Sequence, residues 1–507
     1  VPPRAPRPDG KDELNGGFRE LAGLESARLA PMLAGAAVAA APCMSALPCS
    51  PEPLNYEIVV VGGGVSGCAA ALAGARAGAR VLLVEEHGFP GGSLTAMGVG
   101  PMMSFHNPSG RQVVGGIADE IIRRLQARGA SLGHIADTTT YCSTVTPFDS
   151  EELKIELETM LAEARVDVLY HTQLAAASAA EDRVVAITLC NKAGLTEVRA
   201  EVFVDATGDG DLAARAGVPF VFGRAGDGAA QPMTMNLKLA NVDTAAVRAY
   251  ALAHPEDFLW HPHGAEEGRR RLERSPRISL AGFVGAWRAA KARGEIDVPR
   301  DHVLFFETPV EGVVVVNTSR VTGLDATDPL QLSRAEAIGR RQCQQIFQFL
   351  RREAPGFAAA VRMDSSPKIG VRETRHIVGR YLITADDLVA ARPFADTIAL
   401  GGYPIDIHSP SAETTLTTYL QADGAYEIPL RSLLPEKIGN LLVVGRCISA
   451  THEASAGLRV SPIAMAIGQG GGVAAAEAAR LSVPVAAVPF AALRSRLLEQ
   501  GAILPAR

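Results

Sequence analysis

The amino-acid sequence predicts an α/β fold in which one largely parallel sheet is interrupted by an inserted mixed α+β segment. Three observations carry that expectation. Tyr56–Val61 is an apolar, β-branched run that passes directly into the glycine-rich stretch Gly62-Gly63-Gly64-Val65-Ser66-Gly67. Two further apolar runs, Val202–Asp205 and Asn440–Val444, lie far downstream. Uninterrupted runs of this kind mark strands covered on both faces, the usual state of a parallel sheet. From residue 236 to residue 394 the pattern turns to mixed strands and helices, which is the inserted segment.

The 507 residues amount to two to three domains of the usual size of roughly 100–200 residues, so two packed domains are expected. Their predicted bounds are 55–235 and 395–507 for the two parts of a nucleotide-binding domain and 236–394 for a cap that covers it. Residues 1–54, Pro-rich and then Ala-rich, are expected to form an N-terminal extension that the fold does not need. Its long leader carries acids as well as bases, which disfavours export and predicts a cytoplasmic protein. No stretch reaches the ~18–20 uninterrupted apolar residues of a membrane span.

A hydrophobic content of 47% with 21% charged residues describes a globular enzyme rather than a fibre or a disordered scaffold. The formal charge of −6 and the lack of a Lys/Arg run remove the electrostatic term on which nucleic-acid binding rests. Seven scattered cysteines without a C-x-x-C pair argue against zinc, an iron–sulfur cluster or a redox dithiol, so no metal is expected. His261-Pro262-His263 is read as a loop for the same reason.

Gly62, Gly64 and Gly67 have the G-x-G-x-x-G spacing. The first glycine suits a tight turn, the second a close approach of backbone to pyrophosphate, and the third close packing of helix on strand. A small-residue helix over Cys68–Ala79 follows, its N-terminus facing the phosphates. The strand Arg80–Val84 then ends in Glu85, an acid placed to accept hydrogen bonds from a ribose. Strand, glycines, helix, strand and acid in this order predict a Rossmann-like dinucleotide site, which suits NAD and FAD alike.

Further elements follow in chain order. Ser150–Ala164 has a capping residue, early acids and apolar residues at helical spacing. Val166–Tyr170, Val184–Leu189 and Thr196–Val204 are predicted strands. In the inserted segment, strands are expected at Met235–Leu239 and Val313–Asn317 and helices at Gly282–Arg293 and Leu332–Arg352. A last helix starts at Ser461-Pro462, with Ser461 read as N-cap and Pro462 as first helical residue.

Taken together, the blocks VVVGGGVSGCAAA, PGGSLTAMGVG, QVVGGIADEI, DATGDGDLAARAGVPF, QPMTMNLKL, GVRETRHIVGRYLITADD, YPIDIH, IPLRSLLP and NLLVVGRCISATHEASAGLRVSP resemble the FAD-dependent oxidoreductase family called FAD_oxidored. That family lies within the glutathione-reductase-type flavoproteins, and the resemblance runs from Tyr56 to Leu504. It implies FAD as cofactor, bound without a covalent link, since Pro90–Gly100 offers neither His nor Cys. It also implies that the cofactor is held by Gly62, Gly64, Gly67, Glu85 and Glu86, by the second glycine turn Gly91-Gly92-Ser93, by Thr207, Gly208 and Asp209, and by Gly445, Arg446, Pro462 and Ile463. Gly445-Arg446 stands where many flavoproteins of the wider superfamily have Gly-Asp, which leaves the ribityl contact open. The helix start at Ser461-Pro462 would direct free amides at the flavin, where negative charge builds up on reduction.

The candidate catalytic residues are His408, with Asp406 two residues before it, His452 and Arg375. A histidine is the side chain best suited to accept a proton near neutral pH. His106 is a further histidine candidate. Arg372, Glu373 and Arg375 are read as an ion-pair network, with a substrate-carboxylate clamp as the alternative. The expected reaction is hydride transfer between a small organic substrate and flavin N5, with the electron acceptor left open. A monooxygenase using NAD(P)H and O2 is the second reading, and a flavin-binding electron-transfer subunit the third. A homo-oligomer is compatible with all three.

Overall fold

The structure, a computed structural model, describes residues 53–413, 415–421 and 423–506, so the expected extension up to residue 52 lies outside the described residues. Its central sheet contains β1 (Leu54–Val61), β2 (Val81–Val84), β3 (Asp167–Leu169), β4 (Gln173–Ala180), β5 (Arg183–Asn191), β6 (Gly194–Asp205) and β7 (Leu441–Val443). The order is β3-β2-β1-β6-β5-β4, with β7 also on β6. The β3, β2, β1, β6 and β7 pairings are parallel, and β5 and β4 extend the sheet as antiparallel strands. Ile58 and Val60 face one core while Val59 and Val61 face another, so β1 is covered on both sides.

Register decides where the site lies. Val61 pairs with Val84 and with Asp205, and Val443 pairs with Asp205, so the carboxyl ends of β1, β2, β6 and β7 finish level. Loops leave all four strands at one edge, the edge at which open α/β sheets bind ligands.

Two helices cover one face, α1 (Val65–Arg76) and α2 (Ser461–Leu481). They pack with backbones in contact: a Cβ on Gly468 would sit 2.1 Å from the Ser66 carbonyl oxygen, and one on Gly472 2.1 Å from that of Ala70. That approach brings the first turn of α2 beside the glycine turn after β1.

A five-stranded antiparallel sheet lies apart from the first, in the order 279–282, 303–307, 314–316, 237–240, 361–365. Helix Pro329–Glu353 packs on it, started by Asp328, whose carboxylate accepts from the Leu330 and Gln331 amides. Met235, Leu237, Phe283, Trp287, Phe305 and Phe349 are among the buried residues of this separate core. Among the described residues no helix is long and apolar enough to cross a membrane.

Four details differ from expectation, each with a local cause. The helix expected from Ser150 is capped by Asp149, whose side chain takes the Glu151 and Glu152 amides. The helix after the glycines opens at Val65 and ends at Arg76, ahead of Gly78, whose φ is +100°. In α2 the N-cap is Val460, with Ser461 inside the helix, its hydroxyl 3.3 Å from that of Ser93. The strand β4 was not expected, because its run of alanines lacks apolar alternation. Pairing along β5 makes it a strand.

Gly472→Ala tests the helix contact. The added methyl meets backbone rather than a movable side chain, so a loss of at least about 1–3 kcal/mol is expected. It is read as a lower Tm together with weaker cofactor retention.

Candidate active site and cofactor cleft

A cavity of about 1040 Å³ runs along the level strand ends and continues beneath the antiparallel sheet. Small-molecule sites usually occupy ~300–1,000 Å³, so this one has room for a large ligand and a second, smaller one.

The strand-end half is built by backbone geometry. Gly62, with φ +105°, packs so tightly on Ala206 that a Cβ would lie 2.4 Å from its carbonyl oxygen. A Cβ on Gly67 would lie 1.8 Å from the Gly62 oxygen. Gly64 differs, for a Cβ there would meet nothing within 4 Å, and the residue lines the cavity. Thus two glycines close the turn and the third leaves open space above it. The second glycine turn docks on the first through Gly91 N–H donating to Gly63 O at 2.8 Å. Buried Glu85 accepts from the Gly63 amide at 2.6 Å, the His87 amide at 2.8 Å and His87 Nδ1 at 2.7 Å. Glu86 pairs with Lys368 at 2.5 Å. Against burial, that ammonium holds the Glu86 carboxyl below its ordinary range.

The loop after β6 hangs from Asp205. Its fully buried carboxylate accepts from Thr207 Oγ1 at 2.7 Å, the Thr207 amide at 3.0 Å and the Ala213 amide at 2.8 Å, while burial raises its pKa to about 6. Arg446 ties loop to neighbour: Nε donates to Gly208 O at 2.7 Å, Nη2 meets Asp209 Oδ1 at 2.5 Å, and Nη1 donates to Val371 O. Gly445 has φ +82°, and a Cβ there would strike the Ser66 hydroxyl at 2.5 Å.

Of the residues singled out for the cofactor, Gly62, Gly64, Glu85, Glu86, Gly92, Ser93, Thr207, Gly208, Asp209 and Arg446 line the cavity. Gly67, Gly91, Gly445, Pro462 and Ile463 do not line it, and the first three act through the close contacts described for them. Ser66 and Ser461, which were not singled out as ligands, line it as well.

At the other end, His408 lines the cavity with Tyr141, Tyr403, Asp406 and Tyr419. His408 Nε2 lies 3.3 Å from Asp406 Oδ2, and Nδ1 lies 3.4 Å from Thr415 Oγ1. Tyr403 donates to Asp406 at 3.2 Å. Burial first and the Arg372 charge second pull the His408 pKa down to about 3. Burial works to raise the Asp406 carboxyl, but His408 and Arg459 hold it well below its ordinary range. The imidazole is therefore neutral beside an ionised carboxylate.

The other two catalytic candidates stand elsewhere. His452 does not line the cavity; its Nδ1 lies 2.8 Å from the Glu373 carboxylate, which also meets His376 Nε2 at 3.1 Å. Against burial, hydrogen bonds from the two histidines hold Glu373 at about 2. Arg375 likewise does not line the cavity and grips Asp209 O at 2.9 Å and Asp211 Oδ1 at 3.0 Å, over the ring of Phe220. Both are held by contacts inside the protein, and the buried His452 Nε2 has no hydrogen-bond partner among the described residues. His106 bonds Thr144 Oγ1 at 3.0 Å and is not in the cavity wall either. Arg300, Arg372 and Arg459 are in that wall. Arg300 was not foreseen, since a lone arginine in Pro299-Arg300-Asp301 carries no motif.

A largely parallel sheet with a glycine turn, a terminal acid and a chamber beyond it has the build of a dinucleotide-binding protein. The chain matches the model of the FAD dependent oxidoreductase family over residues 57–497 and belongs to that family; it is an enzyme with FAD as cofactor. Curated relatives match over short stretches. The tRNA uridine 5-carboxymethylaminomethyl modification enzyme MnmG of Protochlamydia amoebophila is 36% identical over 88 residues, 17% of this chain and 12% of that one. Aklavinone 12-hydroxylase DnrF of Streptomyces peucetius is 42% identical over 78 residues, 15% of this chain and 14% of that one. The chain thus spans only a small fraction of the length of these relatives. Among solved structures, a geranylgeranyl bacteriochlorophyll reductase-like protein of Thermoplasma acidophilum is similar at 12% identity and a TM-score of 0.45, covering 89% of this chain and 84% of that one.

The residues present fit this cofactor. Gly64 leaves an open cradle beside the start of α1, Gly92 packs on it so closely that a Cβ there would lie 2.7 Å from the Gly64 Cα, and the cavity extends from them past Glu85 and Ser461.

Stability should fall on acidification below neutral pH. His302 is held at about 4, by burial first and by Arg300 second, and His408 at about 3, while an unfolded histidine titrates near ~6.5. As pH drops from 6.5 the unfolded chain takes up these protons first, and each removes about 1.4 kcal/mol per pH unit. Asp205 works in reverse, since its raised pKa lets the folded state bind its proton first between about 6 and ~4. Asp137 and Asp364, also raised by burial, add to the reverse effect, and His106, also lowered, adds to the loss; the histidines act first, from ~6.5 downward. Tm recorded from pH 7 to pH 4 should decline, and His302→Gln should flatten the decline.

Proposed function

We propose that the protein oxidises a small organic substrate held at the His408 end of the cavity, with the carbon to be oxidised facing the bound flavin. The single observation that carries this reading is the continuity of the cavity: the glycine cradle and His408 belong to one wall. Bound FAD supplies hydride acceptance at N5.

The chain's own residues supply the rest. Gly62, Gly64, Gly92 and Ser93 would take the pyrophosphate, with Gly67, Gly91 and Gly445 as the packing that shapes them. Glu85 and Glu86 would take the ribose, and Thr207, Gly208, Asp209 and Arg446 would border the flavin side. Pro462 and Ile463, in the first turn of α2, would set the direction of the amides offered to the isoalloxazine. Residues 236–394 would form the cap, placing the substrate at a domain interface.

His408 is the proposed base. Ionised Asp406 fixes the proton on Nε2, so Nδ1 is the atom that accepts a proton from a substrate hydroxyl or amine. Thr415 is close enough to steady that nitrogen. His452 and Arg375 are proposed as positioning residues, the first through Glu373 and the second through the Asp209 loop.

The test is anaerobic mixing of holoenzyme with a metabolite panel while the visible flavin bands are followed. An organic substrate that bleaches them without NAD(P)H is the expected result. Bleaching by NAD(P)H alone would replace this reading with a monooxygenase. His408→Asn should keep its FAD and slow bleaching by about 10²–10⁴-fold, the usual worth of a general base. An unaltered rate removes His408 from the mechanism. His452→Gln should lower Tm and leave the bleaching rate within a few-fold.

A further inference from the structure

The chamber holds more positive charge than its walls can pair. Arg300 is only 4% exposed, and its guanidinium meets Asn317 O at 3.2 Å and His302 Nε2 at 3.2 Å, neither of them a carboxylate. Its Nε is buried without a partner. Arg372 gives Nη1 to Pro232 O and Thr234 Oγ1, each at 2.6 Å. Among the described residues, neither arginine forms an ion pair with an Asp or Glu.

The acids nearby are already engaged. Asp406 serves His408, Tyr403 and, at 3.9 Å, Arg459. Asp301 serves His302 Nδ1 at 2.6 Å. Arg300, Arg372 and Arg459 line the same cavity, and burial first, then the like charges around it, push the Arg372 pKa well below its ordinary value. Holding Arg300 and Arg372 away from water without a counter-charge is costly, and an anion received by both offsets that cost. Arg446, at the cofactor end, has its carboxylate in Asp209. The surplus belongs to the substrate end.

Part of the cavity lining is aromatic. Tyr141 lies with its ring centroid 5.9 Å from that of Tyr403 and 5.8 Å from that of Tyr419. A ligand must therefore present an anionic head to the arginines and a flat or apolar body to the tyrosines.

We propose that the substrate is a carboxylic acid with an aromatic or apolar body, its carboxylate received by Arg372 and Arg300. The proposal deepens the oxidoreductase reading by naming the substrate class, and it rests on that reading. Bidentate geometry suits a guanidinium to a carboxylate, and two guanidiniums facing one space suit a head group with two oxygens.

The experiment uses FAD-loaded protein and inert probes, so it needs no turnover. Benzoate, benzamide and inorganic phosphate are titrated while the flavin difference spectrum is recorded, with calorimetry as a second measure of affinity. Benzoate should bind at least tenfold more tightly than benzamide. Arg372→Gln and Arg300→Gln should each weaken benzoate at least tenfold, with FAD content unchanged and benzamide unaffected. Equal affinity for benzoate and benzamide in the wild-type protein would overturn the proposal even if neither variant folds. Tighter binding of phosphate than of benzoate would overturn the choice of carboxylate. Variants that shift the flavin midpoint potential but bind benzoate normally would overturn it too, by assigning the arginines to the reduced flavin. A panel in which only uncharged compounds bleach the flavin leaves the oxidoreductase reading intact and sinks this one.

Discussion

The structure depends on the contact of backbone with backbone at the end of β1. Gly62 against Ala206, Gly67 against Gly62, and Gly468 and Gly472 against Ser66 and Ala70 leave no space for a side chain at any of these positions. Three parts of the chain separated by hundreds of residues are thereby drawn to one point: the turn after β1, the loop after β6 and the first turns of α2. A methyl group at one of them would separate all three. The cavity exists because these close contacts end at Gly64, where the packing stops and space opens.

Charge is organised around that space by two different rules. At the strand-end side three ion pairs stand within the protein: Arg446 with Asp209, Glu86 with Lys368, Arg375 with Asp211. Such pairs hold loops in place, and being partly buried they are screened less than surface pairs. At the far side the arginines outnumber the acids facing them. Paired charge of this kind serves the scaffold, and the unpaired guanidiniums of Arg300 and Arg372 are the groups on which the proposed anion site rests.

Much of the fold was legible in the sequence because parallel strands are apolar on both faces and end in turns with strict steric needs. Tyr56–Val61, Val202–Asp205 and Asn440–Val444 announced three of the level strands, and the glycines announced the turn. The strand ends of the inserted sheet were read to within two residues at Met235–Leu239 and Val313–Asn317. The alanine-rich β4 was not legible, since its strand character comes from pairing with β5 and not from its own side chains. At the site, local motifs located the cavity-lining residues at the strand ends, whereas the far side of the cavity is made by contacts between distant segments. His452 and His408 look alike as sequence, each a histidine in a marked block. Only the fold separates them, by setting Glu373 against one and open space beside the other. Arg300 gave no local sign at all.

The unpaired arginines and the neutral imidazole are two sides of one arrangement. After burial, the field of Arg372 is the largest influence keeping His408 unprotonated, which leaves its lone pair free but weakly basic. An anion seated on Arg372 would cancel much of that field at the moment the substrate arrives. His408 would then become a stronger base in the complex than in the free protein, with Asp406 already in place to stabilise the imidazolium that forms. A neutral substrate would leave the field unopposed and the base weak. Discrimination would thus operate twice on the same charge, once in holding the substrate and once in taking its proton, and both effects trace to guanidinium groups that the folded chain buries without a carboxylate beside them.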